Sequence, residues 1–140
     1  MNQPLNGRAS ILIAEDNPGD VRLICEALKL HSVQCDLHVV DDGEKALQFI
    51  GALDGSSLNR PDLILLDLNL PKTDGRDVLK RIKKTPLICQ IPVIILSSSD
   101  SPKDRADTVE LGAERFIRKP SSLDEFMEIG AVAKALLPQK

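Results

Sequence analysis

The sequence predicts an α/β protein in which a five-stranded parallel sheet carries helices on both faces. Three observations carry this reading. Apolar runs alternate with helix-like segments five times, three of those runs have no polar break, and the helix-like segments open on residues that cap helices. At 140 residues the chain suits one domain, read here as residues 1–140 with a core from about 10 to 137.

The first strand is read over Ser10–Glu15. Asn17-Pro18 then supplies a cap and a first-turn proline, Asp20 adds an acid near the positive end of the helix dipole, and Val21, Ile24, Cys25 and Leu28 repeat at helical spacing. The second strand, Cys35–Asp41, is mixed in polarity, as an edge strand would be, and Asp42 can cap a helix running to about Leu53. The polar connection from Asp54 to Pro61 reads as a solvent-exposed excursion. The third strand, Asp62–Asp67, is a continuous aliphatic run, as parallel strands covered on both faces require. The third helix should start near Gly75, turn Val78, Leu79 and Ile82 inward, and stop before Pro86. The fourth strand is Pro92–Ser97, and the fourth helix opens at Ser101-Pro102 and closes at Gly112. The fifth strand, Glu114–Lys119, is again mixed. Ser122 and Glu125 have capping-box spacing for a last helix whose inward face is read as Leu123, Phe126, Met127, Val132 and Leu136. Ile129, Ala133 and Leu137 then fall beside that stripe, where they would offer dimer surface.

Composition narrows the function. A net charge of −3, with three Phe and no Tyr or Trp, argues against a nucleic-acid surface. No apolar run is long enough for a membrane span and the first ten residues lack the apolar stretch of a signal peptide, so a cytoplasmic protein without a membrane partner is expected. Cys25, Cys35 and Cys89 are odd in number and far apart, and read as reduced packing residues. His31 and His38 read as surface or packing residues, and the basic run Lys80–Lys84 as the outer face of the third helix.

In a parallel sheet all strands end at one edge, where ligands bind. Glu15 and Asp16 follow the first strand, Asp67 ends the third, Ser97 the fourth and Lys119 the fifth. Two carboxylates about 4 Å apart repel by roughly 4 kcal/mol at an effective dielectric of about 20. One lysine cannot balance three acids, so the site asks for a divalent cation with oxygen ligands. Mg²⁺ suits it, Mn²⁺ being an acceptable substitute, and the lack of paired His or Cys disfavours zinc. An acid nucleophile, such an ion, an ammonium and a hydroxyl describe phosphoryl transfer to a carboxylate.

Here the sequence resembles the receiver domains of two-component response regulators, from about Ser10 to Leu137. The matching motifs are "AED" after the first strand, "LLDLNLP" around Asp67, "ILSSS" thirty residues on and "FIRKP" twenty-two beyond Ser97. "EDNPGDVRLICEAL" and "LNLPKTDGRDVLKRIK" look most like the small single-domain regulators that partner phytochrome-type sensor histidine kinases. The resemblance implies a flavodoxin-like, doubly wound (βα)5 fold with strand order 2-1-3-4-5. It implies that Asp67 is the phosphoacceptor, that Asp16 and Asp67 bind Mg²⁺ through carboxylates and Asn69 through its backbone carbonyl, and that Glu15 assists through water. Ser97 would contact a phosphoryl oxygen and Lys119 would pair with another. The Lys119–Pro120 bond would be cis, and Ser97 and Phe116 would form the switch, Phe116 lacking a phenolic hydrogen bond. Asn69 and Ser99 would tune the lifetime of the product. Glu15 stands where many relatives have Asp. With nothing after the fifth helix to serve as an output domain, the signal would pass by contact or by homodimerisation through the fourth helix, fifth strand and fifth helix.

Three rivals can be weighed on the residues. A haloacid-dehalogenase-type phosphatase needs a second Asp where Asn69 stands, and a flavin carrier needs a Ser/Thr/Gly-rich loop where "EDNPGD" stands. A degenerate receiver is disfavoured because every site position carries a competent residue.

Overall fold

A computed structural model describes residues 8–53 and 60–138; most of the connection at 54–61 lies outside these residues. Five strands and five helices alternate: β1 (Ala9–Ala14), α1 (Pro18–Leu30), β2 (Cys35–Val40), α2 (Gly43–Gly51), β3 (Leu63–Leu66), α3 (Gly75–Lys83), β4 (Val93–Ser97), α4 (Pro102–Glu110), β5 (Arg115–Arg118) and α5 (Leu123–Leu136). All strand pairs are parallel, in the order β2-β1-β3-β4-β5. The two mixed strands stand at the edges, as their composition predicts.

The helix starts follow local chemistry. Asn17, Asp42, Asp74, Ser101 and Ser122 each accept a backbone N–H of the first turn that would otherwise have no partner. Ser122 makes its half of the expected box by accepting the Glu125 N–H, and its hydroxyl donates to the Glu125 carboxylate at 2.9 Å. Gly112, at φ +101°, ends the turn after α4.

The side-chain alternation of the central strands fills two cores. Ile11, Ile13, Leu63, Leu65, Ile94 and Leu96 face α1 and α5, while Leu12, Ala14, Ile64, Leu66, Val93 and Ile95 face α2 and α3. Each such Leu or Ile stabilises the fold by about 1.5–3 kcal/mol relative to an exposed position. On the second face Val78, Leu79 and Ile82 point inward as their spacing requires, leaving Lys80, Arg81 and Lys84 exposed.

The inward face of α5 is centred beside the stripe read from the sequence, of which Phe126 is buried and Met127, Val132 and Leu136 pack partly buried against the core. Phe126, Ile129, Gly130 and Ala133 are buried, with Leu137 behind them, and Leu123 is 60% exposed. Ile129, Ala133 and Leu137 are therefore core residues and offer no dimer surface. The cause is Gly130, where a Cβ would stand 2.1 Å from the Ala27 carbonyl oxygen. This helix packs on α1 backbone to backbone at that point, and the contact sets its rotation. His31, at the end of α1, reinforces the pair with Nε2 3.1 Å from the Met127 carbonyl oxygen, and His38 stacks on Phe49 with centroids 4.6 Å apart. His31 is a packing residue and His38 a surface one. The three cysteines are free.

Candidate functional site

The carboxyl ends of β1, β3 and β5 bring the acids and the lysine together. Ligand atoms of Glu15, Asp16 and Asp67 all lie within 4.8 Å of one another, Glu15 and Asp67 buried and Asp16 exposed. Asp67 is held by its neighbours: Oδ1 accepts the Asn69 backbone N–H at 3.0 Å and Oδ2 accepts Lys119 Nζ at 3.1 Å. Gly75 lies directly behind it and donates its N–H to the Leu68 carbonyl at 2.9 Å.

Lys119 reaches into this cluster from the end of β5, where its backbone N–H donates to the Ser97 carbonyl at 2.7 Å. Its ammonium lies 2.8 Å from Glu15 and 2.8 Å from Asp20 as well as touching Asp67. Burial by itself would lower the lysine pKa, but the carboxylates outweigh it and raise the value above the ordinary lysine range. Burial acts the other way on Glu15, whose pKa is pushed up to about 7 in spite of Lys119.

Asp20 was legible only as a helix-start acid. No local signal links it to a lysine 99 positions away.

The donor set suits a hard divalent cation. It is all oxygen, it is mostly carboxylate, and Glu15 Oε1 is buried without a hydrogen-bond partner among the described residues. The Lys119 ammonium, 2.8 Å away, is its charge partner. A buried carboxylate oxygen left so is a site for a cation or for a water that a cation holds.

Ser97 ends β4 fully buried, and its Oγ accepts the Ser99 backbone N–H at 3.1 Å. The Ser99 hydroxyl donates to Asp104 at 2.6 Å and accepts the Ser101 N–H at 3.1 Å. Asp104 also pairs with Arg76, which bonds Asp74 at 3.3 Å, so the loop after β4 is tied to the start of α3. The Ser99 hydroxyl, helped by Arg76, holds the Asp104 carboxyl below the usual carboxylate range. This network had no signature in the sequence. Phe116 is buried on the core face of β5, with the Arg105 guanidinium 4.8 Å above its ring.

One expectation is corrected. The described residues contain no cis peptide bond, so Lys119–Pro120 is trans. The trans form is the intrinsically favoured one, and the long lysine stem reaches all three acids from it.

A doubly wound sheet with an acidic, lysine-bridged pocket at the carboxyl ends of its strands is the architecture of two-component signalling receivers. The sequence matches the response regulator receiver domain over residues 11–130, and the chain belongs to that family. It is 37% identical to the response regulator Rcp1 of Synechocystis over 92% of this chain and 88% of that protein. The phosphorylated cyanobacterial phytochrome response regulator RcpA superposes with a TM-score of 0.84 at 37% identity, over 94% of this chain and 99% of that one. The Mn²⁺-bound form of Rcp1 gives 0.82 at 34% identity, over 94% and 96%. No helix among the described residues is long and apolar enough to cross a membrane.

Proposed function

We propose that this chain is a single receiver domain, residues 1–140, that acts in the cytoplasm and takes a phosphoryl group onto Asp67 from a sensor histidine kinase of the phytochrome type. The observation that carries the reading is the convergence of Glu15, Asp16 and Asp67 within 4.8 Å, with Lys119 bonded to the phosphoacceptor. The likeness to phytochrome response regulators supports the choice of kinase.

In this reading an Asp67 carboxylate oxygen attacks the phosphorus of a phosphohistidine. The new O–P bond forms as the N–P bond breaks, and its electron pair returns to the imidazole nitrogen. A Mg²⁺ ion, or Mn²⁺ in its place, supplies positive charge to the transferring group when held by the Asp16 and Asp67 carboxylates and the Asn69 carbonyl, with Glu15 acting through water. Lys119 stabilises one phosphoryl oxygen and the Ser97 hydroxyl another. The Ser97 oxygen already accepts the Ser99 N–H, so its own O–H is left to donate to the phosphoryl group, and a turn of Ser97 toward that group draws the attached β4–α4 loop inward and re-sorts the packing of Phe116. The changed face of α4, β5 and α5 signals by contact with a downstream protein or by homodimerisation. Asn69 and Ser99, beside the path of hydrolytic water, tune the lifetime of the aspartyl phosphate.

Incubation with acetyl phosphate and Mg²⁺, followed by intact mass, tests this directly. The wild-type chain is expected to gain about 80 Da, the mass of one phosphoryl group, and Asp67→Asn none. Equal labelling of the two would move the acceptor elsewhere.

Glu15 gives the metal step a pH dependence. Because the fold raises its pKa from 4.5 to about 7, protonation favours the folded state, and on this group's account the metal-free protein loses stability as pH rises through that interval. A cation binds the carboxylate form and reverses the trend. The rise in Tm produced by Mg²⁺ should therefore be small near pH ~5.5 and grow steadily to pH ~8, as scanning calorimetry would register. A Mg²⁺ effect that is flat across that range would remove Glu15 from the metal site.

A further inference from the structure

We propose that Asp20 is a positioning residue for phosphoryl transfer: from the first turn of α1 it holds the Lys119 ammonium in place while the lysine's other two partners change. The proposal rests on the reading of Asp67 as phosphoacceptor.

The three carboxylates around the ammonium are not equivalent. Glu15 and Asp67 belong to the acidic triad, so a bound cation competes with Lys119 for their charge, whereas Asp20 stands outside that triad. Asp67 also spends an oxygen lone pair on the new O–P bond, so its negative charge passes to the phosphoryl oxygens and the ammonium must follow it there. Of the ammonium's three partners only Asp20, at 2.8 Å, neither belongs to the acidic triad nor takes the phosphoryl group in this reading.

The backbone of Asp20 suits an anchor. Pro18 opens the helix, the Asn17 side chain accepts the Asp20 N–H at 3.1 Å, and the contact is largely shielded, the side chains of Asp20 and Lys119 being 21% and 14% exposed. A lysine stem has four rotatable carbons and would otherwise sample many positions. Fixing its head with a partner on a rigid helix turn places the positive charge where the phosphoryl oxygen arrives. A helix-start acid interacts favourably with the helix dipole in any case, but that effect does not need Lys119.

The discriminating measurement is the rate of labelling by acetyl phosphate at saturating Mg²⁺, followed by intact mass, with Mg²⁺ affinity and thermal melting recorded on the same samples. Asp20→Ala is expected to slow labelling about tenfold, with Mg²⁺ affinity little changed. Asp20→Asn, which keeps the size of the side chain and covers the case that the alanine variant folds poorly, should show the loss as well. In a Lys119→Met background neither substitution should slow the reaction further, since Asp20 acts through the lysine. Wild-type labelling rates in both Asp20 variants, or an equal loss with and without Lys119, would overturn the proposal and leave the phosphoacceptor assignment intact. A wild-type chain that gains no phosphoryl mass would take both down.

Discussion

Lys119→Met should slow phosphoryl transfer to Asp67 by roughly 10²–10³-fold, the usual cost of losing one preorganised charge on a developing anion, while Mg²⁺ binds more tightly. The two effects share a cause. The ammonium lies within 3.1 Å of Asp67 and 2.8 Å of Glu15, so in the proposed reaction it would assist the transferring group and also occupies charge that a cation would use. An ammonium and a divalent ion that share the same carboxylates repel each other, so removing the lysine should raise the affinity for the ion about tenfold. Breaking a buried ion pair by removing one partner costs about 3–5 kcal/mol, so the metal-free variant should melt well below wild type and recover much of the difference with Mg²⁺. Calorimetry with and without the ion, beside labelling kinetics, reads all three. A variant that labels at the wild-type rate would exclude the lysine from the chemistry.

Gly75→Ala is expected to damage stability and chemistry together. A Cβ at this position would stand 2.4 Å from the Asp67 carbonyl oxygen and 2.6 Å from the Leu68 Cα. Both obstacles are backbone, so neither can rotate away, and the start of α3 or the strand that ends at Asp67 must shift. Overpacking of this kind costs about 1–3 kcal/mol, against the roughly 0.5–1 kcal/mol that alanine would otherwise bring to a helix. Because the displaced group is the backbone of Asp67, labelling by acetyl phosphate should fall about a hundredfold, the scale on which a shift near 1 Å acts. Gly51→Ala is the matched comparison: nothing lies within 4 Å of its added carbon, and it should be neutral or stabilising. If the two variants melted and labelled alike, the close approach of α3 to Asp67 would have no functional weight.

The elements themselves were legible because their causes are local. Asn17, Asp42, Ser101 and Ser122 cap the helices whose starts they mark, and the aliphatic runs ending at Leu66 and Ser97 are the central strands. The candidate site was legible for a related reason: once the strands are parallel, the residue after each one must lie on a common edge, and Glu15, Asp16, Asp67 and Lys119 do. Periodicity placed the face of α5 only in part: Phe126 is buried and Met127, Val132 and Leu136 pack against the core, but a helix that is apolar on most sides left open the rotation that contact between Gly130 and Ala27 imposes, which buries Ile129 and Ala133 and exposes Leu123.

What the sequence determined by itself was thus the order of elements, the parallel sheet and the group of acids at its edge, all of which follow from hydrophobic period and capping chemistry within a few residues. The tertiary structure alone decided that Asp20 meets Lys119 across 99 positions, that Ser99, Asp104 and Arg76 tie the β4–α4 loop to α3, and that the lysine reaches its acids through a trans proline bond. Those contacts depend on where each crossover sets its helix over the sheet, a matter of packing between distant surfaces that leaves no repeat in the chain.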